Sequence, residues 1–233
     1  MRIKICCIAS IAEARLAIDA GASALGLVST MPSGPGVIPW ERIAEIAAAV
    51  PPPIATFLLT CSQDADEIIA QQRRCGTSVV QICDRLARGS YATIRRALPG
   101  IRLVQVIHVV DESSIDEARA VAPHVDAILL DSGNQSLAVK ELGGTGRVHD
   151  WTLSARIRES AGVPLFLAGG LRAENIAEAV RAVRPFALDV CSGVRTDGAL
   201  DEVKLRAFMA AASIPRSGRA PGGTRPARRR SAF

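Results

Sequence analysis

The chain has 233 residues, of which 48% are hydrophobic and 22% charged, so one large folded domain is expected and extensive disorder is excluded. No stretch approaches the roughly 18 consecutive apolar residues of a membrane-spanning helix, so we expect a soluble protein without membrane contacts. The formal net charge is +5, but six of the 28 basic residues are arginines that follow Pro215. Subtracting those six leaves 22 basic against 23 acidic residues, so no nucleic-acid partner is expected.

Short apolar runs alternate with longer segments of helical periodicity along the chain. The runs lack the polar alternation of half-exposed strands, which is typical of parallel strands covered on both faces. They predict strands over 3–8, 24–28, 54–59, 79–82, 102–109, 127–130, 164–168 and 187–190. Helices are predicted after them over 11–20, 40–50, 64–74, 91–98, 113–121, 151–160, 173–183 and 201–212.

Eight successive strand–helix units most economically close into a (β/α)8 TIM barrel, an α/β fold, which we assign to residues 1–213. An open doubly wound sheet is the alternative, but no G-x-G-x-x-G follows the first strand, which weakens its dinucleotide-binding form. Residues 214–233 are rich in Arg, Gly and Pro with little apolar sequence to anchor them, and they predict a disordered basic tail.

Metal binding is not predicted from the cysteines. They form no C-x-x-C pair and no Cys/His ligand spacing, and they stand at positions 6, 7, 61, 75, 83 and 191. Glu13 and Arg15 follow the first apolar run too soon for a secretory signal. Reduced thiols and a cytoplasmic location are therefore expected.

Two glycine turns indicate a phosphate site, because a barrel places its active site at the carboxyl ends of its strands. The last two predicted strands end in L-A-G-G-L and V-C-S-G-V, which contain Gly169, Gly170, Ser192 and Gly193. Such turns leave backbone N–H groups open to bind a phosphate, although a tight turn after a strand needs glycine for its geometry alone.

An acid and a thiol follow two other strands. Asp131 stands directly after the run 127–130, and Cys6 and Cys7 lie in the first run. A carboxylic acid that donates a proton and a thiol that accepts one suit the isomerisation of a phosphorylated sugar. A helix cap or loop carboxylate is the alternative for Asp131. Strand alternation predicts that only one of the two cysteines faces the substrate, and leaves open which.

Five motifs occur in a fixed order: K-I-C at 4–6, L-L-D at 129–131, G-G-T-G at 143–146 before D-W, G-G-L at 169–171, and D-V-C-S-G-V at 189–194. Together they resemble the phosphoribosylanthranilate isomerases of tryptophan biosynthesis. The resemblance implies an Amadori rearrangement of N-(5-phosphoribosyl)anthranilate to 1-(2-carboxyphenylamino)-1-deoxyribulose 5-phosphate, without a cofactor. It also implies Asp131 as general acid, Cys6 as general base, and the two glycine turns with Ser192 as the phosphate site.

The sequence departs from the family pattern at several positions. Cys7 replaces a glycine, and the family's D-V-S-S-G-V has serine where Cys191 stands. Gly36 aligns with an arginine that would pair with the anthranilate carboxylate, and losing such a pair would weaken binding by about 1.5–3 kcal/mol. Arg195 replaces a glutamate and is one candidate for the lost cation. Substrate contacts are expected at Cys7, Gly36 and Arg195, at Cys83, which replaces a histidine, and at Gln81, Gly144 and Asp189.

Three functions are therefore open from the sequence. The first is a phosphoribosylanthranilate isomerase, and the second is a divergent barrel isomerase or epimerase acting on another phosphorylated sugar. The third is a non-catalytic barrel that binds a phosphorylated ligand. The partner expected for an enzyme is a small phosphorylated sugar, and the chain is expected to be a monomer or a homodimer.

Overall fold

The computed structural model describes residues 1–213, and the predicted tail at 214–233 lies outside the described residues. Eight parallel strands form a closed barrel in which β1 pairs with β8, so the predicted (β/α)8 fold is confirmed. The strands are β1 (Arg2–Ile5), β2 (Ala24–Val28), β3 (Ala55–Thr60), β4 (Val79–Ile82), β5 (Arg102–His108), β6 (Ala127–Asp131), β7 (Leu165–Leu167) and β8 (Ala187–Val190). The helices are α1 (Ile11–Asp19), α2 (Trp40–Ala49), α3 (Ala65–Cys75), α4 (Tyr91–Ala97), α5 (Ser113–Val121), α6 (Trp151–Ala161), α7 (Ile176–Val183) and α8 (Glu202–Ala212).

Two predicted boundaries were wrong by several residues. β1 ends at Ile5 rather than at residue 8, and Cys7 has a φ of 63°, a left-handed conformation that cannot continue a strand. α7 begins at Ile176 rather than at residue 173. The Asn175 side chain there bonds Arg172 N–H and the Gly170 carbonyl, which holds the preceding residues in a turn.

The barrel has two apolar cores. The larger lies between the strands and the surrounding helices. The smaller fills the barrel interior and includes Phe57, Leu59, Val104 and Leu129. Side chains alternate along each strand between the barrel interior and the helices. Toward the carboxyl ends of the strands, the apolar interior positions give way to the polar residues that end or follow each strand. Barrel closure therefore brings those residues together at one rim.

Serine and aspartate side chains cap the N-termini of five helices that follow the loops at the carboxyl ends of the strands. The side chains of Ser10, Asp64, Ser90, Asp150 and Asp201 each accept a hydrogen bond from a backbone N–H of the first helical turn. The helices they begin have 7–11 residues. Within residues 1–213, no helix is long and apolar enough to cross a membrane.

Candidate active site

A cleft at the carboxyl ends of the strands encloses about 680 Å³ of space, part of it open to solvent. The two chemically important residues predicted from the sequence, Cys6 and Asp131, both line it. Loops after β2 and β6 close its sides with residues 33–35 and 142–146. The other predicted residues in the lining are Cys7, Gln81, Cys83, Gly144, Gly169, Gly170, Asp189 and Ser192.

Cys6 follows β1 and its thiol packs beside Lys4 and Gly26. A Cβ atom at position 26 would lie 2.8 Å from Cys6 Sγ and 3.1 Å from Lys4 Cε, so glycine in β2 leaves the space that both side chains occupy. The neighbouring Cys7 side chain lowers the pKa of Cys6, burial opposes this, and the positive charge of Lys4 lowers it further. The lowered pKa increases the thiolate fraction, which is the form that accepts a proton.

Lys4 is a fully buried cation that sequence reasoning named only as part of a motif. Its Nζ lies 2.9 Å from Asp189 Oδ2 and 5.2 Å from the centre of the Phe57 ring. Burial acts to lower the pKa of Lys4, but the Asp189 carboxylate and the Cys6 sulfur raise it overall. The ammonium therefore stays charged and favours the thiolate form of Cys6.

Asp131 ends β6 and is only partly exposed. Burial raises the pKa of Asp131, against the opposing effect of the Ser132 N–H, which donates to Oδ1 at 2.7 Å. Gly143 passes directly over the carboxylate, since a Cβ atom there would lie 2.6 Å from Oδ2. The environment thus keeps the acid protonated to higher pH while it makes Cys6 easier to deprotonate, the pattern expected of an acid–base pair.

The turns after β7 and β8 meet the loop after β6 at one end of the cleft. Gly169, Gly170 and Ser192 line it there, together with Thr145. Thr145 Oγ1 lies 2.7 Å from Ser132 Oγ, and sequence reasoning missed it although the G-G-T-G motif contains it. No lysine or arginine is among the described residues of the lining, so an anion in the cleft would be bound by backbone N–H groups and hydroxyls.

Arg195 does not replace the arginine that is missing at position 36, so this prediction was wrong. Its guanidinium is bound to the Glu13 carboxylate at 3.1 and 3.2 Å, to the Gly198 carbonyl and to the carbonyls of Cys6 and Cys7. Burial acts to lower the pKa of Arg195, and the Glu13 carboxylate raises it overall. Arg195 is buried outside the cleft lining and holds the loop after β1 from behind.

Gly193 also lies outside the lining. A Cβ atom at this position would lie 2.0 Å from the Leu171 carbonyl oxygen, so glycine lets the turns after β7 and β8 approach each other. Gly193 therefore supports the arrangement of the turns, and its predicted direct contact with phosphate has no support from the lining.

Cys7 and position 36 compete for the same space beside the cleft. Both cysteines after β1 line the cleft, so the prediction that only one could do so was wrong, because Cys7 is already outside the strand. A Cβ atom at position 36, where φ is 80°, would lie 2.5 Å from Cys7 Cβ. Cys7 therefore fills the space that any side chain at 36 would enter, and Gly36, which we expected to contact the substrate, lies behind Cys7 instead.

We expect Gly36→Ala to lower the free energy of unfolding by about 1–3 kcal/mol through overpacking against Cys7. Cys7→Gly removes the clash, so the double variant should recover part of this loss and leave the cost of the positive φ. Urea denaturation of the wild type, both single variants and the double variant measures the coupling. Strictly additive effects would show that the two residues do not compete for space.

Metal ligation has no candidate among residues 1–213, where no group of three or more His, Cys, Asp or Glu side chains is arranged to hold an ion. That the reaction needs neither a metal nor a cofactor stays a prediction.

Comparison with known proteins identifies the family. Residues 3–211 match the family model described as N-(5'-phosphoribosyl)anthranilate (PRA) isomerase. The chain belongs to this family. A PRA isomerase from Haloferax volcanii is 37% identical over 217 residues, which are 92% of this chain and 94% of that protein. The family and the isomerase class implied by the sequence motifs are therefore confirmed.

Solved PRA isomerase structures share the fold. The enzyme from Thermococcus kodakaraensis is 28% identical with a TM-score of 0.74, covering 92% of this chain and 99% of that chain. Another PRA isomerase was solved in complex with reduced 1-(o-carboxyphenylamino)-1-deoxyribulose 5-phosphate. It is 26% identical with a TM-score of 0.73 and covers 91% of this chain and 98% of that chain.

Proposed function

We propose that this chain converts N-(5-phosphoribosyl)anthranilate to 1-(2-carboxyphenylamino)-1-deoxyribulose 5-phosphate, with Asp131 as general acid and Cys6 as general base. One observation carries the proposal: a thiol of lowered pKa and a carboxyl group of raised pKa line the same cleft. Family membership and the phosphorylated ligand of the solved neighbour support this substrate.

The reaction begins with a proton transfer from Asp131 to the ring oxygen of the ribose. Breakage of the C1′–O bond then opens the ring to a protonated Schiff base between C1′ and the anthranilate nitrogen. The Cys6 thiolate removes the C2′ proton to give an enolamine. The enolamine becomes the ketone when a proton returns to C1′ and the C2′ hydroxyl loses its own, so the reaction consumes no net proton.

Two unpartnered oxygens in the cleft fit the ribose hydroxyls. Gln81 Oε1 and Asp189 Oδ1 are buried and have no hydrogen-bond partner, and both residues belong to the lining. Buried acceptors without a donor cost free energy, and a sugar hydroxyl supplies the missing donor. We assign these two side chains to the ribose and the glycine turns with Ser192 and Thr145 to its phosphate.

The aromatic end of the substrate then lies toward Cys83 and the loops after β2 and β6. Cys83 is buried and its pKa is raised by burial, so it offers a neutral thiol there. Because the described lining contains no cation, the anthranilate carboxylate would be bound by neutral groups of the loop residues 33–35 and 142–146. We expect this to raise KM and to leave the acid–base step intact.

Two experiments test the proposal. The first is an enzyme assay with N-(5-phosphoribosyl)anthranilate, in which the loss of the substrate's fluorescence measures turnover. The second is rescue of a tryptophan auxotroph that lacks the isomerase. Turnover and rescue support it. Turnover of a different phosphorylated sugar alone would favour the divergent enzyme, and binding without turnover would favour the non-catalytic barrel. A cytoplasmic location and a monomeric or homodimeric state are further parts of the proposal.

A further inference from the structure

Two thiols that the proposed mechanism does not use lie against each other on the cleft wall. Cys7 Sγ and Cys191 Sγ are 2.7 Å apart, and both residues line the cleft. Cys7 follows β1 and Cys191 follows β8, where the Cys6 N–H donates to the Val190 carbonyl at 2.8 Å and joins the two segments. The contact therefore depends on paired backbone segments rather than on a chance approach of two loops.

Cys7 lies in K-I-C-C at 4–7, and Cys191 lies in D-V-C-S-G-V at 189–194. Each cysteine adds one thiol to the cleft wall. The two sulfurs need to approach by only about 0.7 Å to reach the S–S bond length of about 2.05 Å.

We propose that Cys7 and Cys191 are a modification site, a dithiol that is reversibly oxidised to a disulfide by a small-molecule disulfide such as oxidised glutathione. The Cys191 thiolate attacks one sulfur of the reagent and releases one thiol. Cys7 then attacks the mixed disulfide through its own thiolate and releases the second thiol. Two electrons pass from the protein to the reagent, and the two protons lost by the cysteines balance the two thiols released.

The surroundings assign the order of the two steps. Cys191 is partly exposed to the cleft whereas Cys7 is buried, so the reagent reaches Cys191 first. The neighbouring Cys191 and Cys6 side chains, together with burial, raise the pKa of Cys7, which makes it the resolving rather than the attacking thiol. The buried Arg195 guanidinium lies behind the pair and attracts both sulfurs when they are ionised.

Oxidation of Cys7 would change the pKa of Cys6, the proposed base. The neighbouring Cys7 side chain is the largest cause of the lowered pKa of Cys6, and a disulfide changes that neighbour from a thiol to a sulfur without a proton. Cys6 then becomes harder to deprotonate. The disulfide also ties the segment that holds Cys6 to the turn that contains Ser192. Loss of activity on oxidation rests on the proposed role of Cys6, whereas formation of the disulfide does not.

The full-length reduced protein is incubated with oxidised glutathione, and disulfide-linked tryptic peptides are mapped by tandem mass spectrometry while activity is followed. The expected link joins peptide 5–15 to peptide 182–195, with the bond at Cys7. Activity should fall by about tenfold or more, up to the loss of about 10²–10⁴-fold expected for a lost general base, and return with dithiothreitol. Cys7→Gly and Cys191→Ser should form no link and should lose no activity on oxidation relative to their own reduced states.

Cys61→Ser is the matched control, because Cys61 is also partly exposed but bonds the Thr30 carbonyl instead of a thiol. This variant should keep the link and the sensitivity of the wild type. A link through Cys6, the absence of a link, or a Cys191→Ser variant that is still inactivated would overturn the proposal. A Cys7–Cys191 link without loss of activity would refute the switch. If the reduced protein has no isomerase activity, the proposed function fails, and the mapped link still decides whether the dithiol exists.

Discussion

Replacement of Asp131 by asparagine is expected to lower kcat by about 10²–10⁴-fold, the usual contribution of a general acid. Asparagine has almost the shape of the carboxyl group and its oxygen can still accept the hydrogen bond from the Ser132 N–H. It cannot deliver a proton to the ribose ring oxygen. The measurement is steady-state kinetics with N-(5-phosphoribosyl)anthranilate, and KM should change little because the acid acts on the reacting atom.

The equivalent test of the base is Cys6→Ser, for which a fall in kcat of about the same size is expected. A serine hydroxyl remains protonated where the Cys6 thiol, with its lowered pKa, forms a thiolate. Cys61→Ser changes another thiol of the chain outside the described cleft lining and should retain activity. Activity close to wild type in either Asp131→Asn or Cys6→Ser would remove the corresponding role from the mechanism.

Lys4→Met is expected to have the largest effect on stability, a loss of about 3–5 kcal/mol, because it leaves a buried carboxylate without its partner. Lys4 Nζ contacts Asp189 Oδ2 at 2.9 Å, and the lysine is completely buried. The double variant Lys4→Met with Asp189→Asn removes both charges, so it should recover part of the loss. Urea denaturation midpoints of the four proteins measure this coupling.

Lys4→Met should also raise the pKa of Cys6, because the positive charge of Lys4 lowers that pKa in the wild type. The thiolate then forms only at higher pH, so the pH dependence of Cys6 alkylation by iodoacetamide should move upward. The shift should be smaller in the double variant, because the carboxylate of Asp189 acts in the opposite direction to Lys4. Tandem mass spectrometry of the tryptic peptide that contains both cysteines, 5–15 in the wild type and 3–15 in the Lys4 variants, separates Cys6 from Cys7 and measures the alkylation without substrate.

An unchanged alkylation profile in Lys4→Met would show that Lys4 has only a structural role. A profile that moves in the single variant and returns partly in the double variant would identify Lys4 as a positioning residue for the base. The readout is independent of turnover, so it remains valid even where Asp189 also contacts the ribose.

The sequence determined the fold because its signals are local. Apolar runs of strand length alternate with segments of helical period, and residues such as Gly76 and Gly162 end the helices in a left-handed conformation. Since all strands of a barrel point the same way, residues that follow them share one rim. The sequence alone therefore places Cys6, Asp131, Gly169 and Ser192 at one cleft, and all four line it.

The tertiary structure decided everything that depends on contacts between distant segments. Lys4 and Asp189 are 185 positions apart, and only closure of β1 against β8 makes them partners and gives Cys6 its neighbouring cation. Arg195 had the right charge to bind a carboxylate, but Glu13 and the carbonyls after β1 hold it outside the cleft. Local periodicity predicts which face of its own strand a side chain occupies. It does not predict the φ of 63° at Cys7 or the thiol of Cys191 beside it, because both depend on how the segments after β1 and β8 pack together when the barrel closes.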